Sequence, residues 1–387
     1  MIRQPEKHIT PANSAKIAPF FHTHNTKMPP IFIAVLITLQ IFIYLAARAI
    51  LWQFRIQAPR TRKIAYALAY LFCNGFTFAA LALRQSLLFR LNAAMLVALL
   101  YIVLTSIAVL IIWRIARPIR QPEKLARELR LIAPALLIAL FALSVYNAYT
   151  PVVRHVSIQI NKPLAQPIRI GMASDTHLGT LVGARQLDKL ANIMQQEKVD
   201  IILLPGDIMD DDIAAYTAEN MKPHLAKLRA PLGVYATLGN HDLFGHQAEI
   251  AAALQEAGIT VLHDSAANVD NRFWVLGRPD EMDAHRADTA DLLKQIDTAR
   301  PVFLLDHRPT SITQHEQLPI DIQVSGHVHN GQIFPGNLVV KLLNVLSYGY
   351  EARGRGHYFV TSGYGFWGIP FRLGSQSEVW IIDVKGK

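Results

Sequence analysis

One cysteine, Cys73, in 387 residues leaves no partner for an intramolecular disulfide. Acids are nearly missing from the first part of the chain. Residues 1–150 hold 3 Asp and Glu against 17 Lys and Arg, whereas residues 151–387 hold 26 against 21. The formal net charge of +9 therefore comes from one end of the molecule. That split removes nucleic acid as an expected partner, because nucleic-acid binding calls for a basic stripe on a folded face and the second part shows none. Charge is also scarce along four long stretches, 31–52, 64–83, 91–113 and 131–150, and Arg48, the one charged residue in the first, lies near its end, where a long side chain can snorkel to the interface.

Each of those stretches has about the 20 apolar residues that a helix needs to cross a bilayer. Four of them separated by basic clusters exclude a set of buried helices in a soluble core. A cleaved leader is excluded for the first, because three more spans follow it. Trp52, Tyr101, Trp113, Tyr146 and Tyr149 supply interfacial anchors. The expected organisation is a disordered tail at 1–28, a transmembrane region at 29–150, a linker at 151–167 and a second domain at 168–387. Met28, directly before the first span, offers an alternative start, and His22 and His24 in the tail lack the companions of a fixed metal site. Residues 122–130 read as a short amphipathic surface helix with proline in its first turn.

Lys and Arg bias sets orientation. The loops after the first and third spans carry Arg55, Arg60, Arg62, Lys63 and Arg114, Arg117, Arg120, Lys124, Arg127, Arg130, while the loop between them carries Arg84 and Arg90. The first two loops are expected in the cytoplasm. The second domain is then expected on the non-cytoplasmic face of a bacterial cell (inner) membrane, although the basic tail would share that face.

Beyond residue 151 the pattern changes. Runs at 168–174, 199–204, 233–238, 273–276, 302–305, 320–324, 358–361 and 379–384 read as strands, and 184–197, 246–257 and 288–297 as helices. Such alternation means an α/β fold with sheets covered by helices. Polar clusters follow the strand-like runs: Asp175 and His177; Gly206 and Asp207; Gly239, Asn240, His241 and Asp242; Asp306 and His307; Gly326, His327 and His329. Loops beyond strand ends are where α/β folds place their sites. In extended chain, residues i and i+2 share a face, so Asp175 with His177, and His327 with His329, form two clamps suited to a metal. A histidine at a strand end is ordinarily a surface or core residue; five such clusters in one order are not.

Together they resemble the calcineurin-like metallophosphoesterases, whose pattern is D-x-H, G-D, G-N-H-D/E, H and G-H-x-H, over about residues 165–387. The ending from Gly326 to Ile333 is similar to the membrane-anchored G-H-T-H-G-G-Q phosphodiesterase branch, with Asn330 in place of a glycine. The resemblance implies a two-sheet α/β sandwich flanked by helices, here preceded by an all-α four-span region. It implies one metal held by Asp175, His177, Asp207 and His329, and a second held by Asp207, Asn240, His307 and His327. An all-nitrogen-and-oxygen set suits Mn, Fe, Zn or Co. It further implies hydrolysis of a phosphate mono- or diester by in-line attack of a hydroxide bridging the metals, with His241 protonating the leaving oxygen and Asp242 orienting His241.

Other residues are less defined. Arg353, Arg355 and Arg372 have the fork geometry that grips phosphate, Arg372 being the candidate substrate contact. Asp210, Asp211 and Asp212 read as a solvated loop before a helix. The apolar stretches 339–350 and 365–369 read as core, or as surfaces that rest on the bilayer and admit a lipid-linked substrate. The alternative function is a catalytically inactive membrane sensor or scaffold on the same fold. A transporter is disfavoured by the few polar groups within the spans, and a metallo-β-lactamase-type hydrolase by the absence of an H-x-H-x-D-H run.

Overall fold

Four long apolar helices open the computed structural model, which describes residues 30–83 and 85–387: α1 (Pro30–Gln53), α2 (Pro59–Leu83), α3 (Ser86–Ala116) and α4 (Pro122–Tyr149). The tail at 1–28, with His22 and His24, and the loop residue Arg84 lie outside the described residues. All four helices are long and apolar enough to cross a membrane. They are apolar around most of their circumference, and their large side chains, Leu71, Phe78, Ile111 and Ile138 among them, stay exposed. A helix of that kind has hydrocarbon as its solvent. Proline opens α4, where its missing N–H removes a donor that would have no partner. Residues 122–130 are not a separate surface helix: they form the first turns of α4, which continues through Pro134.

The described residues divide into two compact units, with the division between Cys73 and Asn74. Within the first, Tyr44 stacks on Tyr66 with ring centroids 5.3 Å apart, and Tyr70 Oη donates to the Gln40 carbonyl at 3.2 Å. Within the second, α3 packs on α4 through Tyr101, which meets Phe141 edge-on at 4.9 Å and shares a buried hydrogen bond with the Ser144 hydroxyl.

The second unit also holds an α/β sandwich. Its strands are β1 (Val152–Gln159), β2 (Ile168–Met172), β3 (Ile201–Pro205), β4 (Val234–Thr237), β5 (Thr260–Val261), β6 (Ser265–Val269), β7 (Phe273–Arg278), β8 (Val302–Asp306), β9 (Ile322–Ser325), β10 (Gly349–Arg353), β11 (Gly356–Val360) and β12 (Glu378–Lys385). Its helices are α5 (Ala184–Gln196), α6 (Ala214–Ala218), α7 (Lys222–Leu225), α8 (Gln247–Glu256), α9 (Thr289–Leu293), α10 (Ile312–His315) and α11 (Gly336–Leu343). The strands form two six-stranded sheets, ordered β1-β12-β2-β3-β4-β5 and β10-β11-β9-β8-β7-β6.

Period-two alternation builds the layers. Ile168, Ile170 and Met172 of β2, Ile201 and Leu203 of β3, Phe303 and Leu305 of β8, and Ile322 and Val324 of β9 fill the space between the sheets. The intervening Ile202 and Leu204 face outward, onto Leu187, Leu190 and Met194 of α5. Leu276 and Leu304 do the same in the second sheet, against Leu292 and Leu293.

Two further readings of the sequence change. The expected linker at 151–167 contains β1, which pairs in parallel with β12 from Val152↔Glu378 to Gln159↔Lys385. Two residues separate α4 from β1, so the sandwich joins the last span without slack. The helix expected at 288–297 shrinks to α9, capped by Asp288, whose side chain accepts from the Ala290 N–H at 2.8 Å.

Candidate metal centre

The parallel strands β2, β3 and β4 of one sheet, and β8 and β9 of the other, all run toward the same end of the sandwich. The polypeptide turns sharply as it leaves them. Asp175 (φ 53°), His177 (φ 44°), Asp207 (φ 51°), His327 (φ 70°) and His329 (φ 47°) all take left-handed backbone. For residues with side chains this conformation is strained by about 1–3 kcal/mol each, and it persists where the surroundings over-determine it, typically at functional sites. Two glycines make room. A Cβ on Gly206 would lie 2.6 Å from His307 Nδ1, and one on Gly239 would lie 2.2 Å from Asp207 Oδ1.

The turns gather seven side chains. Asp175, His177 and His329 form one group of ligand-type atoms, and Asp207, His307 and His327 form another. Asp207 Oδ2 lies 3.2 Å from His307 Nε2 and 3.8 Å from His177 Nε2, so one carboxylate faces both groups. Asn240 Oδ1 sits 2.8 Å from His327 Nδ1 and 3.2 Å from His307 Nε2. His329 Nε2 is 3.5 Å from Asp175 Oδ1, which accepts the His327 backbone N–H at 2.8 Å. His307 places Nδ1 2.8 Å from the Pro205 carbonyl; donating there fixes its tautomer and turns Nε2 into the site.

Charge in this cavity is set by burial. Burial holds His177 down to about 3, His327 down to about 3 and His329 well below the ordinary histidine value. Burial also pushes Asp175 up to about 6. Asp207 and His307 are the exception: burial opposes charge on both, but each is the other's counterion, so the carboxyl is held low and the imidazole rises to about 10.

These residues fit divalent metal ions. A metal takes the neutral imidazole as ligand, and burial keeps His177, His327 and His329 neutral. His177 Nε2 and His329 Nε2 face each other at 3.1 Å, so both rings aim a nitrogen at one point, where a bound cation would take the place of a shared proton. Asp175 Oδ2 and His177 Nδ1 are buried with no hydrogen-bond partner among the described residues, an arrangement that is costly unless something else satisfies it.

Three residues stand elsewhere than expected. Asp242 does not orient His241. It is fully buried and accepts backbone N–H bonds from Ile208, Met209 and Gly239 at 2.9–3.1 Å, tying the β3 and β4 loops together. The partner of His241 is Asp211, whose Oδ1 lies within hydrogen-bond distance of Nδ1, while the His241 backbone N–H donates to Asp207 Oδ1 at 2.9 Å. Burial, the largest single influence, lowers the His241 pKa, but the Asp211 hydrogen bond and the charges of Asp207, Asp211 and Asp210 together outweigh it, and the net shift is upward. Asp211 thus belongs to the site rather than to a purely solvated loop. Nothing in the sequence gave its side chain a direction.

Arg372 is the third. It is 0% exposed and cannot grip a substrate at the surface. Its Nη2 donates to the carbonyls of Ser362 and Gly365 at 2.6 Å and lies 3.2 Å from His329 Nδ1. Its own backbone N–H donates to the Ser144 carbonyl of α4 at 3.0 Å. Arg372 is a strut running from the last membrane helix to the loop behind His329. Arg353 is likewise occupied, pairing with Glu316 and Glu351. Asn330, which replaces a glycine of the resembling pattern, takes φ 48° and ψ 38°, a conformation that asparagine tolerates better than most residues.

The calcineurin-like phosphoesterase family model matches residues 168–331. An uncharacterized metallophosphoesterase of Aquifex aeolicus (strain VF5) is 32% identical over 233 residues, 58% of this chain and 88% of that protein. A transmembrane protein with metallophosphoesterase domain from Danio rerio is 31% identical over 271 residues. That match takes in 64% of this chain and 62% of the fish protein, so this chain spans less than two thirds of that relative. One of the same description from Bos taurus is 28% identical over 350 residues, 82% of this chain and 78% of that protein. The chain belongs to the calcineurin-like phosphoesterase family, and its four apolar helices make it a multi-pass membrane member.

Proposed function

We propose that this protein is an integral-membrane, two-metal hydrolase of phosphate mono- or diesters. The observation that carries the reading is the pair of buried ligand groups with Asp207 Oδ2 facing both, built on left-handed backbone. Asp175, His177, Asp207 and His329 would hold one ion, and Asp207, Asn240, His307 and His327 the other. The all-N/O donor set suits Mn, Fe(II), Zn or Co. A bound pair of this kind supplies Lewis acidity toward phosphoryl oxygens and acidifies water.

The remaining steps belong to side chains. Hydrolysis places a water oxygen on phosphorus and needs a proton on the departing oxygen. His241 stands at the edge of the cluster with Nδ1 engaged by Asp211, which leaves Nε2 to deliver that proton. Asp211 is a positioning residue that fixes the ring and its tautomer. The run Gly326 to Gln332 supports the G-H-T-H-G-G-Q phosphodiesterase branch. Retention of the whole set, His241 included, favours catalysis over an inactive scaffold. Chelation of the purified full-length chain is expected to abolish hydrolysis of bis(4-nitrophenyl) phosphate, and Mn²⁺ to restore it. Full turnover in a protein shown by elemental analysis to be metal-free would reject the proposal.

The catalytic domain is assigned to the non-cytoplasmic face, of a bacterial inner membrane by our reading. Loop charge supports this. Arg90, at the start of α3, pairs through Nη2 with Asp210 beside the cluster at 2.9 Å, so the domain lies on the side of the lightly charged loop between α2 and α3, whichever face that is. An alkaline phosphatase reporter fused after Asn161 is expected to be active, and one placed within 114–130 inactive. The reverse pattern would turn the molecule over and leave its chemistry intact.

A further inference from the structure

The rim of the metal centre is built partly from a membrane helix. His241 meets Phe244 edge-on at 5.3 Å between ring centroids and leans on Trp367 at 6.2 Å. Trp367 in turn meets Phe89 of α3 edge-on at 5.9 Å. All three aromatic side chains are exposed, Trp367 to 47%. Arg90, the next residue of α3, holds the opposite lip through Thr180 and Asp210. Gln332 clasps the Trp367 loop: its amide donates to the Trp367 and Ile369 carbonyls at 3.0 and 3.3 Å and accepts the Trp367 N–H at 3.0 Å.

Depth follows from α3 itself. Between Arg90 and Arg114 it carries no charge, and a hydrocarbon core of about 30 Å takes about 20 helical residues. Counted back from Arg114, the core reaches nearly to Arg90. Val97 and Tyr101 therefore lie within it, and Phe89 with Arg90 at its surface. Ile333, Ile369, Phe371 and Leu373 of the sandwich pack on Val97, Tyr101 and Phe141, so they reach the same depth. Beginning three residues after Ile333, α11 leaves Leu338, Val339, Leu342 (87%) and Leu343 (77%) exposed on one side. An uncovered apolar face of this kind, continuous with loops already seated against the spans, matches a helix lying in the bilayer interface.

We propose that the site takes an amphiphilic phosphoester, a lipid, from the bilayer surface. The phosphate occupies the His/Asp cluster, the apolar remainder lies over Phe244, Trp367 and Phe89, and α11 is sunk flat into the interface beside the mouth. This rests on the phosphoesterase reading above and adds the substrate class to it.

The test uses the full-length chain in phosphatidylcholine nanodiscs, loaded with Mn²⁺. On a Cys73→Ser background, an environment-sensitive dye on Leu342→Cys is expected to be quenched by doxyl-labelled lipid and spared by aqueous iodide. The same dye on Lys294→Cys is expected to show the opposite. Dye at Leu342→Cys that answers to iodide and not to lipid would overturn the proposal. In parallel, methyl phosphate and dodecyl phosphate compete against hydrolysis of bis(4-nitrophenyl) phosphate. Dodecyl phosphate is expected to bind at least about tenfold tighter, roughly what burying two methylenes yields. Trp367→Ala is expected to pull that ratio toward one. Equal inhibition constants, or a ratio that Trp367→Ala leaves untouched because partitioning alone produced it, would reject the lipid assignment while the phosphoesterase reading stands. No hydrolysis of either bis(4-nitrophenyl) phosphate or 4-nitrophenyl phosphate would remove both.

Discussion

Asp207→Asn protein is expected to leave purification with at least one metal equivalent fewer per chain than the unsubstituted protein. Its turnover of bis(4-nitrophenyl) phosphate is expected to fall well beyond the ~10–100-fold that follows loss of an outer-sphere partner. The reason lies in its placement. Asp207 Oδ2 faces both ligand groups, and Oδ1 accepts the His241 backbone N–H. An amide keeps the shape but gives up the charge and one acceptor. Elemental analysis alongside kinetics checks this. Unchanged metal content with unchanged turnover would show that Asp207 does not hold metal.

The second large effect separates proton delivery from metal binding. His241→Ala is expected to keep its metals and to lose about 10²–10⁴-fold in rate on esters with poor leaving groups, the range that general acid catalysis spans. The loss should shrink as the leaving group improves, because nitrophenolate needs little protonation in the transition state. Asp211→Asn should show a weaker version of the same leaving-group dependence, since it holds the ring without touching the ester. The measurement is turnover across esters of graded leaving-group pKa, with metal content per chain. A His241→Ala protein that sheds metal as badly as Asp207→Asn, or slows every ester equally, would make His241 a ligand or a phosphoryl contact instead.

What could be read from the residues divides along sequence distance. The strands that carry the site announced themselves, because Ile168–Met172, Ile201–Pro205 and Ile322–Ser325 are short apolar runs that stop at a polar cluster. The clusters Asp175 with His177 and His327 with His329 could be picked out from their spacing, but not the way they are used: all four take left-handed rather than extended backbone, and His327 joins Asp207 and His307 while His329 joins Asp175 and His177. Failures came where a partner lies far along the chain. β1 pairs with β12 more than two hundred residues later, so nothing near it in sequence marks it as a strand. Asp211 meets His241 thirty residues on, across two loops whose turns depend on left-handed backbone at Asp207 and Asp211. Arg372 looked like a phosphate grip because nothing local says that it is enclosed; its enclosure comes from the Ser362–Gly365 loop and from α4. Asp242 was paired with its sequence neighbour, but a buried carboxylate follows the nearest free N–H groups, and those belong to β3's loop.

The position of β12 also dictates an order of events during biosynthesis. β12 lies between β1 and β2, so until residue 385 has been made β1 has no neighbour and β2 has only β3. Within it, Glu378 accepts from Thr361 Oγ1, the Ser362 N–H and Trp380 Nε1, and it pairs with Arg154 of β1. While translation proceeds, β1 is therefore an unpaired edge hanging directly from a helix already in the bilayer. A nascent chain on the assigned face would cross the membrane with its first sheet open and close it only once the final strand arrives. Interrupted synthesis would then leave spans that insert normally and a domain that never shuts, a species suited to capture by quality-control proteases on the same side.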